Sequence, residues 1–208
     1  GDLLHPVMPI ETLGYCRNSA EEQCEYLHLA FSPLSAPLQS RWRNNGLSAD
    51  FLGDYVTTFL PTASESMDAA AQQAIRHAVT YIANELLENA MKYHERTVDV
   101  PIGIYLELSK ESITIRATNG VNPAQARQYR EFVERILKED AGELLVRQLE
   151  NNSGEAPTQK SCLGLLTILT DYSARMGWEF ESDPAKPDIM TVTTRAVLSL
   201  KDLAGATA

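Results

Sequence analysis

The feature that most limits what this chain can fold into is the apolar stripe within residues 66–94. At about 100° per residue, Ile75, Val79, Ile82, Leu86, Ala90 and Tyr93 share one arc of a helical wheel. A helix with one long apolar side needs a broad apolar surface to lie on. The next two segments supply it. In "PIGIYLEL" the residues Ile102, Ile104, Leu106 and Leu108 alternate with smaller or polar ones, and "SITIRAT" continues the pattern. Two strands joined near Lys110–Glu111 form a hairpin with one apolar face. The chain is therefore expected to pack helices on one face of a sheet.

The same helix carries a polar trio. Glu85, Asn89 and Lys92 stand at i, i+4 and i+7, within about 60° of each other and along one edge of the apolar arc. A solvated face lies opposite the core, whereas these three lie beside it. One reading is a helix-edge Glu–Lys pair worth a few tenths of a kcal/mol. The other is a site where the buried stripe meets an opening. Spacing alone leaves both readings standing.

Around this helix the rest of the chain reads as follows. Residues 21–31, "EEQCEYLHLAF", fit a strand through Leu27, Leu29 and Phe31, or a helix through Cys24, Leu27 and Phe31. "LSADFLGDYVTTFLP" predicts a helix capped by Ser48 and ended by Pro61. Residues 123–151 form a polar, Arg-rich helical stretch. "NNSGEAPTQKS" reads as a loop, and "LGLLTILTDYSARMG" as an apolar helix ending near Gly177. Two closing strands, "WEFES" and "IMTVTTRAVLSL", flank a turn at "DPAKPD". The resulting expectation is an α/β fold, a two-layer sandwich on a largely antiparallel sheet. Residues 1–62 read as an N-terminal extension packed on a main domain at 63–201, with 202–208 as a tail.

Charge and composition remove some functions. With 18 Lys and Arg against 28 Asp and Glu, the net charge is -10. Such a surface repels phosphate backbones, so no nucleic-acid partner is expected. Cys16, Cys24 and Cys162 have no metal-type spacing and read as free thiols of a reducing, cytoplasmic compartment. No apolar run is long enough to cross a bilayer, so no membrane partner is expected. Glu25 and His28 at i, i+3 read as a surface pair rather than a metal site. His77 reads as a surface residue. Cys162 lacks a histidine partner that would mark a nucleophile. "SRWRNNG" around Trp42 fits a partner anchor or ordinary packing equally well.

Two further stretches bear on the trio. "ATNGV" (117–121) places polar residues and Gly120 at a strand end, where a flat ring can approach the backbone. "KSCLGLL" (160–166) leads into an apolar helix, and Gly164 would let amides there face a phosphate.

Taken in order, "NELLENAMKY", "TNG" and "CLGL" resemble the N-box, adenine motif and second glycine motif of the histidine-kinase-like ATPases. That group contains DNA gyrase, the heat-shock ninety chaperones, sensor histidine kinases and anti-sigma-factor serine kinases. The resemblance covers about residues 65–200 and is most specific at the N-box. Size and layout look most like the anti-sigma-factor kinases and related bacterial partner-switching kinases, with no phosphoacceptor histidine box. The resemblance implies a Bergerat-type ATP-binding fold, with ATP and Mg²⁺ as ligands and a small antagonist-type or other regulatory protein as partner. A homodimer is compatible with it.

Carried over residue by residue, the resemblance implies roles that the chemistry supports. Glu85 would be the general base, and Asn89 would offer its carbonyl oxygen to Mg²⁺. Lys92 would neutralise phosphate charge. Thr118, Asn119 and Gly120 would meet the base. Lys160, Ser161, Gly164 and Leu165 would surround the phosphates. Two positions depart from the family. Thr118 stands in place of its adenine-binding Asp, and Cys162 in place of the first glycine of the second motif. Segment 122–160 lies where the family has its lid; Arg127, Arg130, Arg135 and Arg147 there could reach phosphate but read first as a solvated helical face. Three functions follow as expectations: a Ser/Thr kinase acting on a small partner in a bacterial switch, a degenerate module that binds a partner without catalysis, and a small ATPase.

Overall fold

The computed structural model describes residues 10–16, 24–32, 38–63, 67–151 and 157–205, with the backbone alone at 38–43, 61–63, 151 and 157–162. In it, Ile75, Val79, Ile82, Leu86 and Ala90 are all buried where α2 (Ala69–Tyr93) lies across a sheet. Asp68 caps that helix, its carboxylate accepting from the Ala71 N–H at 2.7 Å.

The sheet has six strands: β1 (Ile10–Gly14), β2 (Glu25–Phe31), β3 (Ile102–Leu108), β4 (Ser112–Val121), β5 (Arg175–Asp183) and β6 (Lys186–Ser199). Their order is β1-β5-β6-β4-β3-β2, and every neighbouring pair is antiparallel. The hairpin read from 101–118 is β3–β4. The ambiguous 21–31 segment is a strand, with Leu27 opposite Leu106 and Leu29 opposite Ile104. Tertiary pairing decided what periodicity left open. Both edge strands come from the first 31 residues, so the N-terminal segment completes this sheet.

The strand alternation gives the sheet two unlike faces. Ile104, Leu106, Ile113, Ile115, Ala117, Trp178 and Phe180 point to the helical layer and are buried. The other face carries cross-strand ion pairs, Arg116–Glu107 at 2.8 Å and Arg195–Glu179 at 3.0 Å. There His28 also stacks on Tyr105 with ring centres 3.8 Å apart. The architecture is a two-layer α/β sandwich.

Three helix boundaries differ from the sequence reading. The first helix, α1 (Leu38–Ala63), starts ten residues earlier than Ser48 and includes Pro61. Its buried side runs through Asn45, Ala49, Leu52, Val56 and Leu60 against α2, and this packing outweighs the weak propensity of "NNG". The single stretch at 123–151 is two helices, α3 (Pro123–Lys138) and α4 (Ala141–Asn151). Asn122 and Gln125 form a capping box on α3, and Asp140 accepts from the Glu143 N–H at 2.9 Å to open α4. The last core helix, α5 (Pro157–Thr170), covers part of the expected loop and ends before residue 177. Ser173, at φ 50°, turns the chain left-handed, and the next amide, Ala174, donates to the Ile168 carbonyl at 3.3 Å. Gly177 is then inside β5, where the Tyr15 backbone passes too close for any Cβ. A short helix, α6 (Leu200–Gly205), follows β6.

Candidate functional site

On the helix-facing side of β4 the alternation Ile113, Ile115, Ala117 leads to Asn119, a polar residue only 6% exposed. Beside it on β6, Val192 is paired with Asn119 and Thr194 with Ala117. Above them α2 presents Leu86, Asn89, Ala90 and Tyr93. Tyr129, Phe132 and Arg135 of α3, Gln148 of α4 and Leu165 of α5 close the remaining walls. Together these enclose a cavity of about 440 Å³. That volume lies within the range of small-molecule sites, which are mostly apolar with a few placed polar groups.

The polar groups are unusual. The Nδ2 atoms of Asn89 and Asn119 and the Oε1 atom of Gln148 are buried with no hydrogen-bond partner among the described residues. Asn89 is 7% exposed. A buried polar atom left unpaired costs about 1–3 kcal/mol. Three of them line this one cavity. Tyr129, by contrast, is fixed: its hydroxyl meets Thr194 Oγ1 at 3.1 Å and accepts from the Trp178 indole N–H at 3.1 Å. Tyr93 and Tyr129 rings lie 6.0 Å apart and nearly parallel, giving the cavity an aromatic end.

One turn before Asn89, the Glu85 carboxylate lies against the Cα of Gly164, where any Cβ would collide with it. Burial pushes the Glu85 carboxyl above the usual carboxylate range, and the nearby Glu88 charge adds to the shift. Glu88 itself accepts from Asn84 Nδ2 at 2.9 Å. A half-buried carboxylate with a raised pKa is a stronger base than an ordinary surface carboxylate.

The structure brings some of the expected residues together and separates others. Asn89, Asn119 and Leu165 line one cavity, and Glu85 and Gly164 touch beside it. Lys92 is half-buried with its ammonium 5.4 Å from the centre of the Tyr93 ring, off the cavity wall. Thr118 points to the opposite face of the sheet, where its hydroxyl meets that of Thr193 at 3.1 Å. The strand period of two puts Asn119, not Thr118, on the cavity side. Gly120 also faces away. Its N–H donates to His94 Nδ1 at 3.2 Å, and Val98 and Val100 cover it, so no flat ring approaches there. Gly164 is the eighth residue of α5, not its start, so its amide is not a free N-terminal donor. Lys160, Ser161 and Cys162 lie in the same helix, with side chains outside the described residues.

Of the lid-region arginines, Arg135 reaches the cavity. Arg130 pairs with Glu11 at 2.7 Å and Arg147 with Glu139 at 3.2 Å. Sequence reasoning missed Tyr129, Gln148, Trp178 and Thr194. Only Tyr129 and Phe132, an i, i+3 aromatic pair on a polar helix, carried a local signal. The described residues contain no cluster of three or more side chains that would hold a metal by themselves. None of the described helices is long and apolar enough to cross a membrane.

No family model matches the sequence, and no curated protein matches it. Among solved structures, a chain from the SiaB–SiaC complex of Pseudomonas aeruginosa is similar. The TM-score is 0.54 over 83% of this chain and 89% of that one, at 16% sequence identity. At that identity the likeness is one of fold.

The Glu85–Gly164 contact gives a sign-specific prediction. In an open helix interior Gly→Ala stabilises by about 0.5–1 kcal/mol. Here Gly164→Ala drives a methyl into the Glu85 carboxylate, and overpacking of this kind costs about 1–3 kcal/mol. Gly164→Ala is expected to lower the melting temperature in the wild-type background and to raise it when Glu85 is Ala. A denaturation double-mutant cycle reads the coupling. Equal effects in both backgrounds would show that the two groups do not touch.

Proposed function

We propose that this chain is a regulatory protein that binds a Mg–nucleotide in the cavity under α3 and α4 and phosphorylates a small partner protein on Ser or Thr. The observation that carries this reading is the pair of buried, unpartnered Nδ2 donors of Asn89 and Asn119, facing one largely apolar cavity from two elements. The donor set fits the ligand. Leu86, Ala90, Val192 and Leu165 suit the faces of a base, Asn119 its polar edge, and Arg135 a phosphate.

Asn89 would hold Mg²⁺ through its carboxamide oxygen, with phosphates and waters completing the shell, so no cage of protein ligands is required. The ion would neutralise phosphate charge. The chain's own residues do the rest. The cavity orients the nucleotide and Glu85 takes the proton of the partner hydroxyl. That oxygen bonds to the terminal phosphorus while the bond to the diphosphate breaks, giving ADP and a phosphoprotein. The SiaB–SiaC structure, a complex of two proteins on a related fold, supports a protein as the other reactant.

A second reading is a module that binds its partner without catalysis. The position of Gly164 inside α5 favours it, because the described residues supply no glycine-opened helix start to cradle phosphate.

Titration separates them. Nucleotide at a hundred times its dissociation constant stabilises by roughly 2.7 kcal/mol, which at this size is a melting shift of about 5–10 °C. MgATP and MgADP are expected to give that shift. They should also change the fluorescence of Trp178, whose indole is bonded to the cavity residue Tyr129. No shift and no heat on calorimetric titration would leave the partner-binding module standing alone.

A further inference from the structure

Among the described residues, the walls of the cavity hold no carboxylate. Their polar groups are carboxamides, the hydroxyls of Tyr93, Tyr129 and Thr194, and Arg135, and the group on the sheet floor is Asn119, with its Nδ2 atom buried and unpartnered. A carboxylate in that place could only accept hydrogen bonds. It would therefore serve only the donors of a base edge, the amino group of a 6-amino purine or the ring N–H and 2-amino group of guanine, and would repel a 6-keto oxygen. A carboxamide offers both a donor and an acceptor, and rotation about its last bond exchanges them. The unmet Asn119 donor suits a keto oxygen or ring nitrogen, and its carbonyl suits an amino or ring N–H. Gln148, entering from α4 with an unmet acceptor, adds another adaptable amide rather than a fixed charge.

We infer that the cavity accepts 6-amino and 6-keto purines alike, with Asn119 as the residue that reads the base edge. The inference rests on the nucleotide-binding reading above and adds to it the class of base. Thr118, the neighbouring residue in the strand, has no part in the choice, because its hydroxyl is bonded to Thr193 on the far face of the sheet.

The experiment is calorimetric titration of the intact chain with MgATP and with MgGTP. One well-placed base contact discriminates by roughly 5- to 150-fold, so its absence should leave the two dissociation constants of the wild type within about tenfold. Asn119→Asp, which fixes the edge as acceptor-only, should change the ATP-to-GTP ratio by at least about tenfold, while Thr118→Asp should leave the ratio where it was. Wild-type dissociation constants for the two nucleotides more than about tenfold apart, in either direction, would overturn the inference and leave nucleotide binding intact. So would an Asn119→Asp protein that folds, binds ATP and keeps the wild-type ratio, or a Thr118→Asp protein that changes it. Failure of both nucleotides to bind would instead overturn the nucleotide reading, and this one with it. Because the wild-type ratio is itself decisive, the inference stays open to refutation even if Asn119→Asp does not fold.

Discussion

Glu85→Gln should cut phosphoryl transfer by about 10²–10⁴-fold while leaving nucleotide affinity within a few-fold, the pattern for loss of a general base. The substitution keeps the shape of the side chain and its place against Gly164. It removes a carboxyl beside the cavity whose pKa is displaced upward by burial and then by Glu88. Those causes also fix how the protein responds to pH. A base works only when ionised, so turnover should fall with acidification at a higher pH than an ordinary carboxylate would give. The stability effect has the opposite sense. A carboxyl whose folded pKa lies above its unfolded one contributes stability below the unfolded value, and that contribution is lost as pH rises through the folded value. The ionised form is the one the fold disfavours. Glu85→Gln should therefore melt higher than the wild type at pH 8, with the difference shrinking toward pH 4. Labelled-ATP turnover, calorimetric affinity and melting temperature across that range check all three. A variant that loses stability at pH 8 with unchanged turnover would make Glu85 a helix-edge residue and nothing more.

The place of Glu85 beside the cavity was legible in the sequence. Glu85 and Asn89 stood on the margin of the apolar stripe, and periodicity alone located that margin. Asn89 indeed lines the cavity. The same arithmetic set β3 and β4 and the sheet-facing side of α2, because long one-sided patterns depend little on the rest of the chain. Motif spacing was less secure. "TNG" put Thr118 forward, yet a strand turns alternate residues to opposite faces, and the frame was settled by pairing with β6 (Ala117 with Thr194, Asn119 with Val192). The glycine of "CLGL" read as a helix start because "NNSGEAP" looks like a loop. Pro157 is well suited to open a helix, and α5 begins there instead. Gly164 thereby acquired a different use, as the gap that receives Glu85. The cavity's far walls were illegible for another reason. Gln148, Tyr129 and Thr194 come from three elements, and only the tertiary fold brings them to Asn89.

Asn89→Leu should stabilise the unliganded protein and destroy nucleotide binding, two effects that a structural asparagine would not show together. The Nδ2 atom of Asn89 is buried without a partner, which costs about 1–3 kcal/mol. Leucine removes that cost, and the cavity of about 440 Å³ has room for its branch. Leucine is also the better helix former by a few tenths of a kcal/mol. At roughly 2–4 °C per kcal/mol for a domain of this size, the melting temperature should rise by about 2–10 °C. The same change takes away the oxygen assigned to Mg²⁺ and leaves the phosphate charge uncompensated in an apolar surround, so affinity for MgATP should fall by at least about a hundredfold. An ordinary buried asparagine that holds the fold together through hydrogen bonds would give the reverse, a lower melting temperature and no change in binding. If melting temperature rises and the wild type itself binds no nucleotide, the cavity is polar for another ligand and the catalytic reading fails. Scanning calorimetry on both proteins, with and without MgATP, separates these results. A rise in stability bought with the loss of the ligand would mean that the unpaired amide on α2 is kept for what it binds.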